Sequence, residues 1–206
     1  MGLLKWLYLV LVGKRPQQGT YSYDGLSDEE LVGKITKSNN ALLFGVLYDR
    51  YVERVYNKCY GFSKSEKEAE DLTQDVFLLL FVKLASFKGM SKFSSWLYSF
   101  TYNFCVNYVN RDKARKMRDN STNIEDKAHE LPVDVPDKDI LEMRSGKLKR
   151  ALDRIDAEDK SILLLKYQDD VSIKELAVLL EIGESAVKMR LKRAKARIVE
   201  IYNTLP

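Results

Sequence analysis

Cysteine, histidine and proline are scarce in this chain of 206 residues, which has two, one and four of them. Cys59 and Cys105 stand far apart, and neither has a second cysteine or histidine beside it. No disulfide framework and no zinc-ligand spacing can be written from them, so a reduced thiol pair is the plain reading. The lone histidine, His129, lies in a polar acidic stretch, which excludes Ser-His-Asp, Cys-His and multi-histidine metal chemistry. No apolar run approaches the roughly 20 residues that cross a bilayer. The stretch Leu3 to Val12 is interrupted by Lys5 and followed by Gly13, Lys14, Arg15 and Pro16, where a signal peptide would carry a small-residue cleavage site. It reads as neither a span nor a secretion signal, and a cytoplasmic protein is expected. As an N-terminal tail over 1–26 it packs on the body or frays, with docking on a partner or membrane surface the less favoured alternative.

A strong excess of one charge is also missing. Lysine and arginine number 34 against 30 acidic residues, a net charge of +4, so any nucleic-acid role must come from local segregation of charge. Apolar residues make up 45% and charged residues 31%, a globular composition that excludes wholesale disorder. At about 150 residues per domain, the length suits one medium or two small domains.

Sustained apolar/polar alternation is absent, whereas apolar residues recur at three- and four-residue spacing, which predicts an all-helical protein. Ser27 and Glu30 form a capping box ahead of a short helix that buries Leu31, Val32 and Ile35. After Asn39 a longer helix carries Leu43, Leu47, Tyr51, Val55 and Cys59 on one face and stops at Gly61. Ser65 and Glu68 open the next helix, which runs to about Leu84. Its core stripe is Ala69, Leu72, Val76, Leu79 and Leu80, with Lys83 at the end, while Asp71, Gln74, Asp75 and Leu78 fall together on another face. Taken alone, that acidic stripe is an ordinary solvated face.

The loop SFKGMSKFS leads to a helix over about Ser95 to Lys116. Trp96, Tyr98, Phe100, Tyr102, Phe104 and Tyr108 exceed what one buried stripe holds, so some are expected to be exposed or to face a groove. Asn103, Asn107 and Asn110 are interleaved with them, and Arg111, Lys113, Arg115, Lys116 and Arg118 follow. Aromatic faces, amides and cations together suit single-stranded nucleic acid. An aromatic core with a basic C-terminal turn is the alternative these residues leave open.

Residues 119–142 hold eight acidic residues against two lysines, with Pro132 and Pro136, and read as a flexible or extended linker. A helix is expected near Ile140 to Asp153 and another over Glu158 to Tyr167. Then a capping box at Ser172 and Glu175, the small Ala177 and the turn Glu181-Ile182-Gly183 make a helix-turn-helix. Its second helix can pack Ala186, Val187, Leu191, Ala194 and Ile198 inward. Between Glu184 and Glu200 it carries six basic residues against two acidic ones.

The segment Glu68 to Arg111 closely resembles the core of extracytoplasmic-function (ECF) sigma factors of bacterial RNA polymerase, and the helix-turn-helix resembles their fourth region. The resemblance implies two small helical domains, at 27–118 and 140–206, joined by a flexible acidic linker over 119–139. Asp71, Gln74, Asp75 and Leu78 match the family's core-polymerase-binding helix. Lys88, Met90, Ser91, Lys92 and Phe93 match the loop that captures a flipped −10 base, and Trp96, Asn103, Asn107 and Arg111 match the adjoining melting helix. Ser185, Ala186, Lys188, Met189, Arg190 and Arg193 match the helix that reads the −35 element, with Lys192 and Lys195 beside them. Met90-Ser91 stands where an acidic and a small residue are common, Glu181 where glycine is common, and Gly183 where a serine cap is frequent. The apolar tail has no counterpart.

The resemblance implies a dissociable initiation subunit for a stress or envelope regulon. Its partners would be core RNA polymerase, promoter DNA and an anti-sigma factor, with no catalysis, cofactor, metal or small-molecule substrate. A polymerase-independent helix-turn-helix regulator is the main rival. A nucleic-acid enzyme with Asp71 and Asp75 sharing a magnesium ion is another, without an acidic cluster or phosphate loop to support it.

Overall fold

The structure, a computed structural model, describes residues 25–38, 40–120 and 135–206, apart from the side chains of 117–120. The apolar tail up to residue 24 and most of the acidic linker, His129 included, lie outside the described residues. The described residues contain helices and no strands.

In the first half, α1 (Asp28–Ser38), α2 (Ala41–Tyr60), α3 (Glu66–Lys83) and α4 (Phe93–Asn120) follow one another, with a single 3₁₀ turn over Leu84–Ser86. Their starts are set by side-chain caps. Glu30 N–H donates to Ser27 Oγ at 3.2 Å and Ser27 N–H to Glu30 Oε2 at 2.8 Å, the reciprocal box that the spacing predicts. Asn40 Oδ1 caps α2 through Leu42 N–H at 2.9 Å. At α3 only half of the expected box forms: Glu68 N–H donates to Ser65 Oγ at 3.2 Å, while the Glu68 carboxylate takes the N–H of Lys64 instead. Gly61 ends α2 in a right-handed conformation, φ −61°, so the stop does not depend on a left-handed glycine.

The core stripes of α1 and α2 are buried as their spacing requires, from Leu31, Val32 and Ile35 to Leu43, Leu47, Tyr51, Val55 and Cys59. On α3 the buried set is Ala69, Leu72, Thr73, Val76, Phe77 and Leu80. Leu79, expected in the core, is instead exposed, because Val76, Phe77 and Leu80 already fill the inward arc and Leu79 lies about 100° away from Leu80; Lys83, expected at the end of the stripe, is exposed too, with its ammonium in water. The two cysteines, unrelated by sequence spacing, meet in this core with their sulfurs 3.9 Å apart.

The second half contains α5 (Asp137–Leu141), α6 (Ser145–Leu152), α7 (Ala157–Leu163), α8 (Ile173–Leu179) and α9 (Glu184–Thr204). The single helix expected over Ile140–Asp153 is two short ones. The poor helix formers Ser145 and Gly146 fall at the junction, and Arg144 turns extended, φ −62° and ψ 125°, with its N–H given to Tyr202 Oη. After α7 the chain widens into a π turn over Leu164–Gln168.

The helix α4 joins the two halves. Trp96, Tyr98, Phe100, Phe104 and Tyr108 pack on the first core, whereas Tyr102 is fully buried in the second, and Tyr98 and Phe62 touch that second core too. None of the seven aromatics of α4, Phe93 included, is exposed; of the expected alternatives it is the groove that is met, by Tyr108, which lines a depression on the outer surface. A helix packed on two sides can bury more of its circumference than a surface helix.

Candidate nucleic-acid interface

Three surfaces carry the residues singled out from the sequence. The first is the outer face of α3. Its capped N-terminus and its buried stripe rotate Asp71, Gln74, Asp75 and Leu78 outward together, and all four are exposed. Asp71 and Asp75 border a shallow depression of about 400 Å³ floored by Leu72 and Tyr108. Glu68 forms its other wall. Tyr108 Oη donates to Glu68 at 2.5 Å, and that bond with the Lys64 N–H holds the Glu68 carboxyl below its ordinary value. The stripe extends one turn beyond the four residues that the sequence pattern marks. Val82, four residues past Leu78, is 69% exposed, and with Leu79 it makes the far end of this face apolar. The same four-residue step, carried once more along the helix, leads to Val82.

The second surface is the loop 87–92 with the outer stripe of α4. Gly89 has φ +68° with nothing near its α-carbon to crowd a side chain, so the left-handed turn itself demands glycine. It lifts Met90 to 66% exposure between the exposed Lys88 and Lys92, with Ser91 half-buried. Phe93 does not belong to this surface. It is fully buried, with its ring against Tyr51, Phe87 and Trp96, and so cannot contact DNA as expected. Its N–H donates to Glu29 Oε1 at 3.0 Å, so α1 supplies a carboxylate at the positive end of α4 and braces the loop. Trp96 is half-buried between Phe87 and Phe100, its ring stacked on Phe100 at 5.5 Å. From there Asn103, Asn107 and Arg111 run outward at four-residue steps, all exposed.

The third surface is α9. The Ser172–Glu175 capping box forms in full and starts α8, with Ser172 Oγ accepting from Glu175 N–H at 3.2 Å. Leu176 is buried, and the turn closes through Ile182 N–H to Ala177 O at 3.1 Å. Glu181 is left-handed at φ 54°, the conformation that favours glycine. Gly183 caps α9 with extended backbone and no side chain to help. Val187, Leu191, Ala194 and Ile198 are buried, which turns Ser185, Ala186, Lys188, Met189, Arg190 and Arg193 outward. Ala186, expected inward, lies one residue off the buried stripe and is exposed. Among the described residues Lys188, Arg190, Lys192 and Arg193 form no ion pair. Lys195 differs: its Nζ donates to Val135 O at 2.5 Å and to Asp137 at 2.8 Å, so here the start of α5 and the backbone just before it occupy it. Arg197 is likewise paired with Asp159 at 2.5 Å.

No group of three or more histidine, cysteine, aspartate or glutamate side chains among the described residues could hold a metal ion. None of the described helices is long and apolar enough to cross a membrane.

A capped helix with an exposed acidic stripe, a glycine-raised loop beside an amide stripe, and a cationic helix-turn-helix give a two-module helical protein with the make-up of the transcription-factor class. Residues 47–115 match the family model for sigma-70 region 2, and residues 145–198 match that for sigma-70 region 4. The chain is 25% identical to the ECF RNA polymerase sigma factor SigW of Bacillus subtilis over 168 residues, 79% of this chain and 90% of SigW. It is 25% identical to the ECF sigma factor SigM of Mycobacterium tuberculosis over 194 residues, 94% of each. Among solved structures the fold is similar to RpoE in complex with the anti-sigma factor NepR from Bartonella quintana, with a TM-score of 0.54 and 21% identity over 79% of this chain and 98% of that one. CnrH in complex with the cytosolic domain of CnrY gives a TM-score of 0.56 and 21% identity, over 87% of this chain and 99% of CnrH. The chain belongs to the ECF sigma factors of bacterial RNA polymerase.

Proposed function

We propose that this protein is a dissociable, non-enzymatic initiation subunit of the cytoplasm that docks on core RNA polymerase through the outer face of α3. By this reading it opens the −10 element with the Gly89 loop and the Asn103–Asn107–Arg111 stripe, and holds the −35 duplex with the N-terminal half of α9. The observation that carries the reading is the exposed stripe Asp71, Gln74, Asp75 and Leu78, with Val82 beyond it. A stripe of four exposed positions with an apolar end has the make-up of a docking face, and a DNA regulator acting alone has no use for it. A base flipped from the −10 element would need a pocket, which Met90 and Ser91 would border above the Trp96 support. An anti-sigma protein would act by covering the same surfaces, as suits a subunit released for a stress or envelope regulon.

Size-exclusion co-elution with bacterial core RNA polymerase, before DNA is added, tests this. The wild-type protein should co-elute, and Asp71→Ala/Asp75→Ala should lose the complex while its melting temperature stays unchanged. Absence of a complex for the folded wild-type chain would favour the polymerase-independent regulator, and a loss of fold in the double variant would make the acidic face structural.

A further inference from the structure

The apolar tail is a motif of the sequence that the proposed function leaves without a role. It runs from Leu3 to Val12 as LLKWLYLVLV, and the first 23 residues hold Lys5, Lys14 and Arg15 with no acidic residue. A segment that is apolar and basic is complemented by a face that is apolar and acidic.

The outer face of α3 has that make-up. Asp71 and Asp75, both exposed, form no ion pair among the described residues. Past them the face turns apolar: Leu78, Leu79 and Val82, at i, i+1 and i+4, are 40%, 38% and 69% exposed. The start of α2 lies against this end of α3 through the rings of Phe44 and Phe81, 5.0 Å apart, and Leu42 there is 48% exposed. Exposed singly, such residues are ordinary; three on adjoining turns of one helix make a patch.

Reach and tethering choose the occupant. Asp28 and Glu29 fix the start of α1 against Arg50 at 2.8 Å and the Phe93 N–H at 3.0 Å. The Phe93 ring meets Phe87, just past the 3₁₀ turn that ends α3, and α1 packs on that turn. The tail therefore enters the fold at the end of the bundle where α3 stops. Residues 13–24, polar and containing Gly13, Pro16 and Gly19, would span about 40 Å when extended at roughly 3.3 Å each. All of α3, 18 residues long, measures about 27 Å, so every part of its face is within reach. A short flexible tether gives an effective concentration in the millimolar range, which suits a small patch. Four part-exposed side chains fall well short of the roughly 800 Å² per partner that a stable dimer buries. A run of ten residues is too short to cross a bilayer, and an anionic lipid surface would repel Asp71 and Asp75.

We propose that residues 3–12 are an intramolecular ligand of α3, packing apolar side chains on Leu78, Leu79 and Val82 and setting a basic end, Lys5 or Lys14-Arg15, beside Asp75. Tail and core polymerase then compete for one face. The competition rests on the sigma-factor reading above; the docking of the tail does not. Trp6 reports the docking. A nitroxide carried on Lys83→Cys, beside the patch, quenches nearby indoles, and the buried Cys59 and Cys105 do not take the label. The share of emission due to Trp6, found by difference from Trp6→Leu, should fall by half or more in the labelled full chain. Leu79→Asp/Val82→Asp, both at exposed positions, should restore it, and Leu7→Asp/Leu11→Asp, which leaves α3 intact, should weaken the docking from the other side. Unquenched Trp6 in the folded, labelled chain overturns the docking, and flotation of that chain with phosphatidylglycerol vesicles would assign the tail to a membrane instead. Quenching that fades on dilution also overturns it, in favour of a second copy. With core polymerase, Leu7→Asp/Leu11→Asp should reach half-maximal complex at about one tenth of the wild-type concentration, the shift expected when the tail covers the face about nine-tenths of the time. Quenching without that shift overturns the competition and leaves the docking standing. If neither chain binds polymerase, the sigma reading and the competition fall together, and quenching alone judges the docking.

Discussion

At the residue scale, Phe93 and Glu181 show how one side chain can be misplaced or strained by its neighbours. Phe93 follows a loop rich in lysine and serine, and its resemblance to a base-capturing position suggests an exposed ring. The ring instead fills the angle between Tyr51, Phe87 and Trp96. Phe93→Ala should therefore lower stability by about 3–5 kcal/mol, as truncating a buried phenylalanine does, and thermal unfolding would show it. A change confined to DNA binding, with normal melting, would return Phe93 to the DNA surface. Glu181 holds a left-handed backbone at φ 54°. Glu181→Gly should relieve about 1 kcal/mol and raise the melting temperature by about 2–4 °C. The departure from glycine is visible in the sequence, and the sign of φ converts it into strain.

At the scale of the element, α9 divides its cations between two uses. Lys188, Arg190 and Arg193 face outward, whereas Lys195 is held by Asp137 and Val135. Replacing Arg190 or Arg193 with alanine should weaken binding of −35 duplex by polymerase-bound protein and reduce the salt slope by about 1 for each phosphate no longer neutralised. Lys195→Ala should move that slope less, because Val135 O and Asp137 already hold its ammonium. The same ion pair has a pH signature. Bonds from Lys195 and Tyr167 hold the Asp137 carboxyl below its ordinary value. An acid whose folded value is depressed contributes stability above its unfolded value of about 3.9, and loses it as pH falls through the folded value. Asp137→Asn should thus melt below wild type at neutral pH, with the difference closing as the solution is acidified below about pH 4. A difference that does not change with pH would mean the carboxylate acts through packing alone.

At the scale of the whole molecule, the legible and the illegible separate by the range of the interaction that decides them. Helix starts at Ser27, Asn40, Ser65 and Ser172 are local matters, because a cap and its N–H lie within three residues of each other. The acidic stripe on α3 is legible because helical rotation alone puts Asp71, Gln74, Asp75 and Leu78 on one side. The aromatic surplus of α4 is legible only as a puzzle. One helix cannot show that Tyr102 belongs to a second core, or that Lys58 finds Asp169 across 111 residues. The break within 142–144 and the exposure of Leu79 are likewise settled by what packs against them.

By itself, then, the sequence determined an all-helical chain with its capped helices, its acidic outer stripe, its glycine-bearing loop and its cationic helix-turn-helix. Each of those rests on bonds and spacings within a turn or two of helix. Only the tertiary structure decided that Phe93 is core, that Lys195 is occupied, that Cys59 and Cys105 touch, and that the two halves close on a buried ion pair. Those outcomes depend on which surfaces meet after the chain has folded back on itself. No local pattern carries that information, since a lysine bound for a buried pair and a lysine bound for solvent read alike along a helix.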